Sequence, residues 1–134
     1  MKKKIIALLG VVVVVVAALV LVAATTGDDV MTKKDGVYIV NTTKLSADVQ
    51  GYNGPTPLKV YIKDDKIQKI EALPNEETPG FFARVQENLL NKWNGMTVKQ
   101  AATAEVDAVS GATYSSNAVK KNVKLGASYY LKHK

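Results

Sequence analysis

Cysteine is absent from the 134-residue chain, and histidine occurs once, as the penultimate residue His133. The first absence excludes disulfides, thiolate metal sites, iron–sulfur clusters and a lipidated N-terminal cysteine. The second takes away the usual general base and a common zinc ligand, because a terminal imidazole is expected to fray. Ser110, read as a hydrolytic nucleophile, therefore has no base to activate it. No catalytic and no metal-ligating residue is predicted. Any redox role has to use a cofactor that asks for neither Cys nor His.

A basic stripe with interleaved aromatics is also missing. The formal charge is +6, from 18 basic and 12 acidic residues, but Lys2, Lys3 and Lys4 supply half of it. The remaining charges alternate in sign along the chain, which argues against a nucleic-acid partner. The acidic pairs Asp64-Asp65 and Glu76-Glu77 each sit in turn-like sequence. They read as solvated surface rather than as acid–base pairs.

What the chain does have is one long apolar run, Ile5 to Ala24, behind the three lysines. At about 1.5 Å per residue such a helix matches the roughly 30 Å hydrocarbon core of a bilayer. A secretory hydrophobic region is usually shorter, about 7–15 residues. Length therefore favours a retained signal anchor over residues 1–24, while Val22-Ala23-Ala24 keeps a cleaved signal peptide open. Both readings leave the lysines inside and the rest outside the cytoplasmic membrane. The first gives a single-pass cell-membrane protein, the second a secreted or periplasmic one.

Residues 25–35, polar and mixed in charge, read as a linker. Residues 36–134 then read as one domain, enough for a single modest core. Val37-Tyr38-Ile39-Val40 is strand-like, and Gly51-Tyr52-Asn53-Gly54-Pro55 is a turn-rich break. Leu58, Val60 and Ile62 alternate with Lys59, Tyr61 and Lys63. This period predicts a strand with one wet face, turning at Asp64-Asp65 into a partner that holds Ile67 and Ile70. The Ile67–Ile70 spacing breaks the alternation and suggests a bulge. A helix is predicted from about Phe81 to Trp93, with Phe82, Val85, Leu89 and Trp93 on one side, closed by Asn94-Gly95. A short helix capped by Thr97 is possible. A last helix, N-capped by Ser115 or Ser116, carries the stripe Val119, Val123, Ala127, Tyr130. Strands first and helices after give an α+β domain, a small antiparallel sheet with a few packing helices, preceded by the N-terminal hydrophobic helix.

The segment DAVSGATYSSNAV, residues 107–119, resembles the FMN-binding domain family. That family includes the periplasmic flavin subunits of sodium-translocating NADH:quinone reductase and of Rnf-type electron transport complexes. Its element is an Asp, two variable residues, then Ser-Gly-Ala-Thr and a hydroxyl-rich helix start. The resemblance implies FMN attached covalently through its phosphate to Thr113. A magnesium-dependent flavin transferase would attach it, with FAD as donor. Asp107, Ser110, Gly111 and Ala112 match the rest of the recognition element, and Ser115 supplies a hydroxyl after it. Tyr114 departs from the pattern, because a hydroxyl residue often follows the Thr directly. Gly51-Tyr52-Asn53-Gly54-Pro55 and Glu77-Thr78-Pro79-Gly80 are similar to further landmarks of the family, so the likeness spans about residues 36–131. It implies that Thr78, Gly80 and Phe81 lie near the flavin ring. The plainer reading makes Thr78 an N-cap with Pro79 at the first helical position.

The physical chemistry of the residues agrees with that resemblance. A flavin needs no Cys or His ligand. Free N–H groups at the start of the last helix favour a phosphate, and Lys120 and Lys121 can add charge. Phe82 and Trp93 can stack on a ring, but apolar residues on a helix face are more often core. The function expected is an extracytoplasmic electron carrier, with a membrane redox protein or complex as donor or acceptor. The alternative is an exported module that keeps the fold without the cofactor and serves a binding or structural role.

Overall fold

The computed structural model describes residues 30–134. The hydrophobic helix predicted for residues 1–24 lies outside them. Among the described residues no helix is long and apolar enough to cross a membrane.

Four strands form one antiparallel meander, β1 Met31–Lys34, β2 Val37–Asn41, β3 Leu58–Lys63 and β4 Lys66–Ala72, paired in chain order. β1 corrects the expected linker over 25–35. Asp35 and Gly36 both have positive φ, 52° and 80°, the conformation of a tight hairpin turn that matches strand twist. That turn folds a polar, largely exposed strand onto β2 with Lys34 opposite Val37. Asp64 and Asp65, at φ 53° and 61°, make the corresponding turn between β3 and β4. The pairs Tyr61↔Lys69 and Ile62↔Ile67 leave Gln68 without a partner on β3, which is the bulge that the broken alternation predicts.

Four helical segments follow: α1 Pro79–Asn88, a 3-10 turn Leu90–Trp93, α2 Val98–Ala101 and α3 Thr113–His133. The single helix expected over 81–93 is thus two pieces, because Leu89 leaves α1 at φ −114° and the chain tightens beyond it. α2 is held by a reciprocal cap. The Thr97 hydroxyl accepts from Gln100 N at 3.1 Å, and Thr97 N donates to Gln100 Oε1 at 3.0 Å.

Met31, Val40, Val60 and Ile70 stand opposite one another across the four strands. Val40, Val60 and Ile70 of that row are buried, together with Leu58, Ile62 and Ile67. The helices cover the sheet, giving a two-layer α+β domain. Val85 and Leu89 from the α1 region and Val119, Val123 and Ala127 from α3 are almost fully buried. Burying one such aliphatic side chain is worth about 1.5–3 kcal/mol. Phe82 and Trp93, at 5% and 1% exposure, are core residues and cannot stack on a ligand.

Candidate functional site

The 51–54 turn and the 73–78 loop meet the N-terminal end of α3, and one carboxylate ties them to it. Glu77 is buried at 5% exposure. Its Oε1 accepts from Tyr52 N at 2.8 Å and from the Ser115 hydroxyl at 2.6 Å, and its Oε2 accepts from Asn53 N at 2.6 Å. This corrects the reading of Glu76-Glu77 as solvated surface. Glu76 is exposed, but the 51–54 turn presents two successive backbone N–H groups, a ready-made cradle for a carboxylate. A Cβ on Gly51 would stand 2.0 Å from Oε1, so only glycine lets the backbone come this close. Asn75 Oδ1 accepts from Glu77 N at 3.0 Å and aims the approach.

Beside this clasp lies a cavity of about 420 Å³ walled by Tyr52, Phe81, Tyr114, Thr78 and Thr113, with Gly111, Ala112 and Ser115 completing it. Its aromatic walls are unusually bare: Tyr52 is 69% exposed, Tyr114 68% and Phe81 49%. Tyr52 and Tyr114 face each other with ring centroids 6.1 Å apart. Clustered aromatics left open to water on a small domain mark a binding surface. Thr113 is the first residue of α3, its side chain is exposed, and its hydroxyl engages no hydrogen-bond partner among the described residues.

Of the predicted site residues, Thr113, Gly111, Ala112, Ser115 and Thr78 come together on this cavity. Asp107 and Ser110 are exposed on the approach to it and do not line it. Gly80 is exposed in the first turn of α1, with open space around it, and does not line the cavity either. Thr78 and Pro79 take the N-cap and first helical positions of α1, and Thr78 also faces the cavity. The expected cap by Ser115 or Ser116 is not formed. α3 starts at Thr113 with Ala112 at the cap position, and both serines lie inside its first turn. Their hydroxyls serve as ties instead: Ser115 donates to Glu77, and Ser116 Oγ accepts from Val109 N at 3.0 Å. Gly111 holds φ +82°, which favours glycine. Lys120 and Lys121 line a separate depression with Glu105 and Lys124.

Sequence reasoning missed the role of Glu77 and the wall formed by Tyr52 and Tyr114. The signal for Tyr114 was present in its very departure, an aromatic directly after Thr113. No local pattern reveals Glu77, because its partners are 24, 25 and 38 residues away.

A two-layer domain with an aromatic-walled concavity of this size is a small-ligand-binding domain; such sites hold about 300–1,000 Å³. The walls suit a flat, largely apolar group. The model of the FMN-binding domain family matches residues 51–128, and the chain belongs to that family. It is an FMN-binding flavoprotein domain.

Proposed function

We propose that the chain carries FMN as a phosphodiester on Thr113 and works as an electron carrier outside the cytoplasm, kept at the membrane by its N-terminal segment. The observation that carries this reading is the Thr113 hydroxyl, exposed and without a hydrogen-bond partner on the cavity wall, next to Tyr114. The residues fit the group. Tyr52, Phe81 and Tyr114 offer faces to a flat ring, and the free N–H groups that open α3 favour an anionic diester. Gly111 and Ala112 keep side-chain bulk away from the attachment point.

In the attachment reaction the Thr113 Oγ bonds to the flavin-side phosphorus of FAD. The pyrophosphate bond breaks and AMP leaves with the bridging oxygen. The hydroxyl proton passes to a base of the magnesium-dependent transferase. The bound flavin supplies one- or two-electron chemistry, while the chain holds and orients it. Covalent attachment suits this compartment, because a dissociated cofactor would be lost outside the cytoplasm. The run Ile5–Ala24 behind three lysines supports the location: residues 1–24 retained as an anchor hold the carrier at the bilayer, whereas a cleaved signal would release it. A membrane redox protein or complex is the partner, as electron donor or acceptor.

The reading is tested by fluorescence of the denatured protein in a gel after expression with and without a flavin transferase. The wild type is expected to fluoresce only with the transferase, and Thr113→Ala in neither case. A dark wild type in the presence of active transferase overturns it.

A further inference from the structure

Arg84 sits in α1 one turn beyond Phe81, with its side chain exposed. Its guanidinium carbon stands 5.2 Å from the centroid of the Phe81 ring. Nη2 lies 3.1 Å from the point that a Cβ on Gly111 would occupy. Phe81 and Gly111 both line the cavity, and Gly111 is two residues from Thr113. A side chain at Gly111 would make the guanidinium give way by a few tenths of an ångström, and the positive φ is the stronger reason for glycine here.

The charge of Arg84 is also uncommitted. Lys69, Lys124 and Lys134 each pair with a carboxylate, at 3.8, 2.7 and 3.2 Å. Among the described residues no carboxylate pairs with Arg84, and its guanidinium makes no hydrogen bond. A planar fork with five N–H donors matches phosphate geometry better than any other side chain. Contact with the Phe81 ring limits its freedom before any anion arrives, which lowers the entropy lost on binding.

We propose that Arg84 is the positioning residue for the flavin phosphodiester, donating charge-assisted hydrogen bonds to its anionic oxygens. The proposal rests on attachment at Thr113. It separates two tasks at one site: the aromatic walls receive the ring, and Arg84, beside Gly111 and outside the cavity lining, receives the charge. The lysines of α3 do not share this task, because Lys120 and Lys121 lie in the depression that holds Glu105.

The test uses the full chain with active transferase and compares wild type, Arg84→Ala and Arg84→Lys. Loading is followed by intact mass, and each loaded form is then purified for phosphorus NMR. Melting of the unloaded proteins checks that all three fold alike, as substitution of an exposed side chain should allow. Arg84→Ala is expected to load about tenfold more slowly, the scale of one charge-assisted hydrogen bond. Its diester resonance is expected to move toward that of a phosphodiester free in water, and Arg84→Lys to recover most of both effects. A diester resonance in Arg84→Ala at the wild-type position overturns the proposal, even if loading is slowed; slow loading alone would assign Arg84 to the encounter with the transferase. A wild type that takes up no flavin defeats attachment at Thr113 itself, and that outcome is visible before any Arg84 variant is compared.

Discussion

Helix α3 is fastened at both ends by the same kind of bond, a hydroxyl donating to a carboxylate at 2.6 Å. At its start Ser115 donates to Glu77, and near its end Tyr130 donates to Asp65. The surroundings differ. Glu77 is buried and also holds two backbone N–H groups of the 51–54 turn, whereas Asp65 is exposed in the β3–β4 turn and shares its Oδ1 with Lys134 at 3.2 Å. At the Asp65 end it is the tyrosine that is buried, with its ring edge-on to Tyr38 at 5.1 Å. Burial of the acceptor gives one bond a structural reach that the other lacks. Removing Glu77 frees a turn, a helix end and the wall residue Tyr52 together. Removing Asp65 strands one hydroxyl, that of Tyr130, and frees neither a second loop nor a wall of the cavity.

The comparison is broken most severely by Glu77→Ala, which strands two backbone donors and a buried hydroxyl. A loss of roughly 2–4 kcal/mol is expected in chemical denaturation, against a smaller one for Asp65→Asn, which tolerates the positive φ of that turn and leaves Tyr130 an acceptor. Ser115→Ala is expected to cost about 1–2 kcal/mol, since Glu77 keeps its two backbone partners. Equal losses for Glu77→Ala and Ser115→Ala would mean that the turn contributes nothing to the clasp. Tyr52→Ala and Tyr114→Ala remove exposed rings and should change stability by only about 0.5 kcal/mol. In the loaded protein both should brighten flavin fluorescence, because the ring loses an aromatic neighbour. Unchanged emission in both would separate these walls from the flavin.

The smallest expected effect is at the Asp65 end and depends on pH. The hydrogen bond from Tyr130, then that from Lys134, lowers the Asp65 pKa below its ordinary 3.8. The stabilisation is therefore fully present above pH 3.8 and is lost as pH falls through the lower folded value. Burial first, then the bond to Asp65, raises the Tyr130 pKa above its ordinary 10.0. That contribution is complete below pH 10.0 and is lost as pH rises beyond it. Melting curves of Asp65→Asn and wild type should thus run parallel near neutrality and converge in acid. Curves that stay parallel down to pH 2 would contradict the assignment.

Much of the fold was legible because its signals are local. The alternation of Leu58, Val60 and Ile62 marks β3, and the stripe Val119, Val123, Ala127, Tyr130 marks the inner face of α3. β1 was missed although Asp35-Gly36 is a strong hairpin signal, because Met31–Lys34 carries almost no apolar pattern of its own. The start of α3 was misread because a serine near a helix start looks like a cap, whether its hydroxyl turns back to the helix or out to a loop. Thr113 and its neighbours were legible from one short motif. Of the other half of the cavity, Thr78 and Phe81 were legible only through the family likeness, and the clasp of Glu77 and the wall position of Tyr52 were not, since both meet α3 only through long-range packing.

The central claim is chemical, a diester at one hydroxyl, and mass reads it directly. The full chain matured with an active flavin transferase should gain the mass of FMN less one water, on a peptide that contains Thr113. Thr113→Ala, folded to the same melting temperature, should gain nothing. An unmodified wild type, or an adduct that persists in Thr113→Ala, would contradict the account.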